Sequence, residues 1–312
     1  MATARDFTDK TLEEMERHLT GIYTRAQKEV GKAWKAYMSE VNQQLSGMQK
    51  DYDAIKKTGD KAAIKKAGRE LAAKKRERTL LNEHYQRLTK QMATQISHVN
   101  ETAAAYINGK LPRIYAVNYN EVAEGVAAKI KGISFDLVDA STVKRLAKEV
   151  ENLLPLKYVD NMADIRWNVS KINSEVLQGI VQGESIPHIA DRMQTVLGMN
   201  RTSAIRNART TVTSAENKGR MDMMREAREK GVLMHKIWLA THDNRTRHEH
   251  LELDGVEVDI DEPFENSLGE IMQPGDPYAD PANVYNCRCR MKEKVIGFIS
   301  PKTGEINYIG GD

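Results

Sequence analysis

The residues best equipped for chemistry lie near the C-terminus. Trp238 is followed by Asp243-Asn244-Arg245-Thr246-Arg247-His248-Glu249-His250, then by Leu253-Asp254-Gly255, Pro274-Gly275-Asp276-Pro277 and Asn286-Cys287-Arg288-Cys289. Three kinds of chemistry suit these types. Cys287 and Cys289 point to the same side of an extended chain, and with a histidine they make a Cys/His set for zinc, the one candidate cofactor. His250 is the preferred third ligand and Asp243 the fourth, with His242 and His248 as alternates, although the Cys-x-Cys interval is shorter than the usual zinc spacer. The second possibility is a structural hydrogen-bond knot, with Asp243 accepting from Arg245 or Arg247. The third is a nuclease working through Asp243, His248, His250 and Glu252. No Ser/His/Asp order, phosphate loop or paired-acid site reinforces it. A disulfide between positions i and i+2 would be strained.

Short strands are expected to carry this cluster, over 235–240 and 256–260, with a third around Val295-Ile296. Between them Pro263, Pro274, Pro277, Pro281, Gly269 and Gly275 mark a long irregular segment that needs internal ties. Phe298 to Asp312 reads as a loose tail or a small hairpin around Pro301–Gly304. Upstream, Gly183-Glu184-Ser185-Ile186-Pro187 restarts a helix that carries Ile189, Met193, Val196 and Leu197 and stops at Gly198. Another helix is predicted from Thr202 to Gly231, its Arg201, Arg206, Arg209, Lys218 and Arg220 read as a solvated face.

The N-terminal third has one dominant pattern. Apolar residues recur every three or four positions from Leu12 through Met15, Leu19, Ile22, Ala26, Val30, Trp34, Tyr37, Val41, Leu45, Met48 and Tyr52 to Ile55, which keeps one helix face in register. A helix of that length needs a partner stripe. One runs through Ile64, Leu71, Leu80, Leu81, Tyr85, Leu88, Met92, Ile96, Val99 and Ala103 after a turn at Thr58-Gly59-Asp60. Residues 8–108 therefore read as a long antiparallel hairpin closed by Asn108-Gly109 and Pro112. Its tip is basic: Lys56, Lys57, Lys61, Lys65, Lys66, Arg69, Lys74, Lys75, Arg76 and Arg78 face only Asp60, Glu70 and Glu77. Such a surface can hold the phosphates of double-stranded DNA without reading bases, or can simply be a solvated helix end. No aromatic interleaves it, which disfavours single-strand stacking.

Composition sets the outer limits. Lys+Arg 47 against Asp+Glu 44 leaves no net charge that identifies a partner, and an aromatic share of 6% suits helices better than a β-sandwich. No apolar run approaches the roughly 18 residues of a membrane span, and Met1–Lys10 has no secretion core, so a reducing cytoplasm is expected for the two cysteines. The expected class is mainly α: a hairpin over 1–110 with a basic tip, a helical bundle over 111–230, a small α+β module over 231–299 and a tail over 300–312.

Trp238, Asp243-x-Arg245-x-Arg247-x-x-His250, Leu253-x-Gly255, Pro274-Gly275-Asp276-Pro277 and Asn286-Cys287-Arg288-Cys289, together with Gln182-Gly183-Glu184-Ser185-Ile186 and Arg209-Thr210, resemble the phage minor head (head morphogenesis) protein family of the Mu F-like group. The resemblance covers roughly 165–297, and the hairpin carries no matching motif. Thr211 stands where that family often has an acidic residue. The resemblance implies a virion component inside the capsid that associates with the portal protein and with capsid or scaffold proteins. It would enter the procapsid in the host cytoplasm during assembly and influence DNA packaging or ejection. Trp238, Asp243, Arg245, Arg247, His250, Gly255 and Asn286 would then be structural, with no catalytic residue and no appended enzymatic domain. A nuclease or a cellular coiled-coil scaffold remains the alternative.

Overall fold

A computed structural model describes residues 3–77, 83–182, 184, 186–300 and 303–309. The fold is mainly α with a small C-terminal strand module, as expected. Its long elements are α1 (Ala4–Thr58), α2 (Lys61–Glu77), α3 (Glu83–Lys129), α4 (Ala140–Glu149), α5 (Asn161–Val181) and α6 (Ile186–Glu229). After them come β1 (Val232–Leu239), α7 (His248–Glu252), β2 (Glu257–Asp259), β3 (Phe264–Asn266), β4 (Gly269–Ile271), α8 (Pro281–Val284), β5 (Arg290–Ile299) and β6 (Ile306–Tyr308). No helix among the described residues is long and apolar enough to cross a membrane.

The chain packs as two compact units, neither continuous in sequence. One gathers residues 1–18, 104–158 and 203–312, the other 19–103 and 159–202. This division differs from cuts at 110 and 230, because α1, α3 and α6 each contribute to both units.

In the second unit the apolar stripe of α1 is buried at Leu19, Tyr23, Val30 and Trp34, and α3 answers with Tyr85, Met92 and Ile96. The pairing is antiparallel: the Tyr23 hydroxyl donates to Asn100 Oδ1 at 2.6 Å, while the rings of Trp34 and Tyr85 meet edge-on at 6.1 Å. The expected turn is present, with Gly59 at φ +75 and Asp60 capping α2 through the Ala62 and Ala63 amides. A polar chain then ties α3, α5 and α6. Asn100 donates to Asp164 and Asn200, Asn200 donates to Asn168, and Asn168 donates to the Asp164 carbonyl. Buried amides paired this way disfavour sliding of one helix past another, since any slip would leave them unsatisfied.

Two expected breaks are absent. Pro112 does not end the second arm; it lies inside α3. A proline costs a helix about 3 kcal/mol, and here Leu111, Ile114, Tyr115, Val122, Ala123 and Val126 are all buried around it, which outweighs that loss. Gly198 likewise lies within α6, where a glycine costs only about 1 kcal/mol and Val196 and Leu197 anchor the turn before it. At the N-terminus α1 begins earlier than expected, because Thr3 and Asp6 cap one another reciprocally.

In the first unit α3 and α6 approach closely: a Cβ on Gly219 would lie 2.5 Å from the Tyr115 carbonyl oxygen. The expected strands all exist. They form an antiparallel sheet in the order β2-β1-β5-β6, with Trp238 opposite Met291. The Pro/Gly-rich stretch is less irregular than expected, since Phe264 to Ile271 closes a β3–β4 hairpin. Residues 232, 234, 236 and 238 of β1 face inward.

Candidate functional site

The cluster is built by three neighbours in the first unit: the single turn α7, the chain entering β5, and one face of α6. His250 on α7 and both cysteines are buried, with 1% exposure for the imidazole and 2% for each thiol. His250 Nδ1 stands 3.5 Å from Cys287 Sγ and 3.5 Å from Cys289 Sγ, and the three donor atoms lie within 4.8 Å of one another. On its other side His250 Nε2 lies 2.9 Å from Asn283 Oδ1. Asn283, fully buried, donates to the Gly269 carbonyl at 3.4 Å and exchanges amide hydrogen bonds with Asn266. The ring of Trp238 meets His250 and Phe264 edge-on, each at 5.2 Å.

Helix α6 holds the cysteine strand in place. Arg209 grips the Glu16 carboxylate through two nitrogens and reaches Asn286 Oδ1, while the Thr210 hydroxyl accepts the Asn286 amide at 2.9 Å. Asn286 needs that support, because its φ of +61 is a left-handed conformation that asparagine tolerates better than most residues. One turn on, Thr213 donates to the Cys287 carbonyl at 2.7 Å, and Asn217 accepts the Met291 amide at 2.8 Å. The α6 positions read as a solvated basic face therefore include Arg209 and Arg220, both in ion pairs. Arg220 is 4% exposed and meets Glu121 and Glu293.

The remaining motif residues lock the surrounding loop. Asp243 takes the Arg288 guanidinium through both oxygens at 2.7 Å and caps the Arg245 amide, so its carboxyl stays well below the usual range. Its expected partner Arg245 is farther off at 3.5 Å, and Arg247 instead donates to the Tyr285 carbonyl. Gly255, at φ +78, lets its amide reach the Trp238 carbonyl. Gly275 turns the Pro-Gly-Asp-Pro loop against α6 so tightly that a Cβ would lie 2.7 Å from the Ser214 nitrogen.

Three of the four proposed zinc ligands thus come together, and Asp243 stands apart, engaged by Arg288. The alternates are also taken: His242 pairs with Asp254 and His248 with Glu252, both imidazoles largely exposed. His248 and Glu252 pair with one another toward solvent while His250 lies in the core. Asn283, Thr213 and Asn217 have no place in the sequence reading, since a lone asparagine or threonine in a helix or loop carries no spacing signal, whereas Thr210 enters it only beside Arg209.

Residues 170–292 match the model of the family described as Phage Mu protein F like protein. Over 295 residues the chain is 26% identical to the minor head protein GP7 of Bacillus phage SPP1, covering 92% of this chain and 88% of that one. The family match and the likeness to a minor head protein thus overlap on the C-terminal module and the helices before it. The likeness to GP7 takes in most of the N-terminal helices, which carry no motif of that family. The chain is also 31% identical over 192 residues to the NAD(+)–arginine ADP-ribosyltransferase EFV of Enterococcus faecalis, covering 60% of this chain but only 37% of that protein. No solved structure matches it.

Beside the site, Glu216 of α6 is 8% exposed, and burial raises its carboxyl to about 7 although Arg220 and Arg290 pull the other way. The folded protein then holds this proton to higher pH than the unfolded chain does. The stability it contributes is complete below about 4.5 and is lost as pH rises through about 7. Glu216→Gln is expected to flatten that decline and to add roughly 1–3 kcal/mol at about pH 8 in thermal melts across pH. A variant less stable at pH 8 would show that the carboxylate is held as a favourable ion pair.

Proposed function

We propose that this protein is a phage minor head protein that works inside the capsid, docking on the portal and on capsid or scaffold proteins and touching packaged double-stranded DNA through its basic hairpin tip. Similarity along nearly the whole length of a phage minor head protein carries this reading. The tip supports the DNA contact. Lys56, Lys57, Lys61, Lys65, Lys66 and Arg69 are all exposed, and none joins an ion pair among the described residues. The side chains of Lys74, Lys75 and Arg76, and Arg78 as a whole, lie outside the described residues. The C-terminal module then serves attachment, its polar cluster locking a small fold.

Changing Lys61, Lys65, Lys66 and Arg69 together to Gln is expected to weaken duplex binding for all sequences alike. The log–log salt slope should fall by about 3–4, near 0.9 per lost phosphate contact. Fluorescence anisotropy from low to moderate salt measures both, and a slope that does not change would remove the tip from the DNA contact. Co-sedimentation with a purified portal ring tests the docking, which fails if no salt concentration gives association. Incubation with DNA and divalent metal is expected to give no cleavage; cleavage abolished by His250→Ala in a folded variant would establish the nuclease alternative.

A further inference from the structure

We propose that His250 Nδ1 and the thiolates of Cys287 and Cys289 bind one Zn2+ that ties α7 to the chain entering β5. The distances suit the ion. With zinc–nitrogen near 2.05 Å and zinc–sulfur near 2.3 Å at tetrahedral angles, nitrogen and sulfur should stand about 3.5–3.6 Å apart. Both separations are 3.5 Å. A thiol–imidazole hydrogen bond accounts for one of them but not for both, because Nδ1 has a single lone pair and two sulfurs are equidistant from it.

The imidazole is also set in the ligating tautomer. Asn283 donates through its amide nitrogen to the Gly269 carbonyl and Asn266 Oδ1, which leaves its oxygen to accept from His250 Nε2. The His250 proton therefore sits on Nε2, and Nδ1 offers its lone pair to the sulfurs, the outer arrangement that orients metal-bound histidines. The sulfurs receive backbone support: the Cys289 amide points at Cys287 Sγ from 3.3 Å, and the Thr241 amide donates to Cys289. Two thiolates and one Zn2+ sum to zero, so the ion removes the cost of burying sulfur charge in so dry a place. The two thiol protons leave to solvent as the metal–sulfur bonds form. Soft sulfur donors exclude Mg2+ and Ca2+. Among the described residues no further His, Cys, Asp or Glu joins the cluster.

Elemental analysis of the full-length native protein is expected to give about one zinc per chain. Cobalt exchanged into the site should show sulfur-to-cobalt charge transfer, lost in Cys287→Ser and in Cys289→Ser, and chelator should lower the melting temperature. Zinc below about a tenth per chain, with no cobalt uptake and a melting temperature indifferent to chelator, would overturn the proposal. So would cobalt spectra unchanged in folded cysteine variants. The first measurement needs no variant, and none of them depends on the portal or DNA reading.

Discussion

Trp238→Ala is expected to destabilise the C-terminal module by about 3–5 kcal/mol, the usual cost of deleting a large aromatic from a well-filled core. Trp238 is fully buried, and its ring separates His250 from Phe264 with an edge-on contact to each. Collapse into the space would have to move α7, which carries His250, or the β3–β4 hairpin, which carries Asn266; both are tied by hydrogen bonds through Asn283. The cavity should therefore stay open, at the expensive end of the range. Trp238→Phe should cost much less, since it keeps most of the ring and removes an indole N–H that has no hydrogen-bond partner among the described residues. Amide hydrogen exchange of β1 and β5 reads the effect locally. Equal protection in the Ala variant and the parent would contradict the role given to this ring.

Arg220→Met is expected to be as costly, again about 3–5 kcal/mol, for an electrostatic reason. Its guanidinium is almost completely buried between Glu121 of α3 and Glu293 of β5. Removing it leaves two acids, with Glu216 one turn away, facing one another without their counter-charge. The triple change Arg220→Met, Glu121→Leu, Glu293→Leu should recover much of the loss, because apolar replacements of a whole buried ion cluster are often tolerated where loss of one member is not. Urea denaturation of the single and triple variants gives the comparison. A triple variant no better than the single would show that packing, not charge, sets the cost.

Much of this was legible before any coordinates. The apolar stripe from Leu12 to Ile55 required one helix and a partner, and the Gly59-Asp60 turn follows from residue type alone. The pairing of His250 with Cys287 and Cys289 was also accessible, because two same-side thiols and one imidazole form a recognisable donor set. The continuations of α3 through Pro112 and of α6 through Gly198 were not. Local propensity argues for a stop at each, and only tertiary burial, invisible to a short window, decides otherwise. Asp243 was misplaced as a ligand for a related reason: its real partner, Arg288, lies 45 residues on. Arg209 and Arg220 read as solvent-facing charges because their acids, Glu16 and Glu121, lie 193 and 99 residues away.

The gathering of residues 1–18 and 203–312 into one compact unit bears on how the polypeptide leaves the ribosome. Arg209, which grips Glu16, is made 193 residues after it. Glu16 must therefore wait for its partner while everything between them is made, and the unit cannot close until both sides of that span have emerged. An excised 170–292 fragment would for the same reason lack Glu16, Glu121 and Glu293, leaving Arg209 and Arg220 without the carboxylates that pair with them.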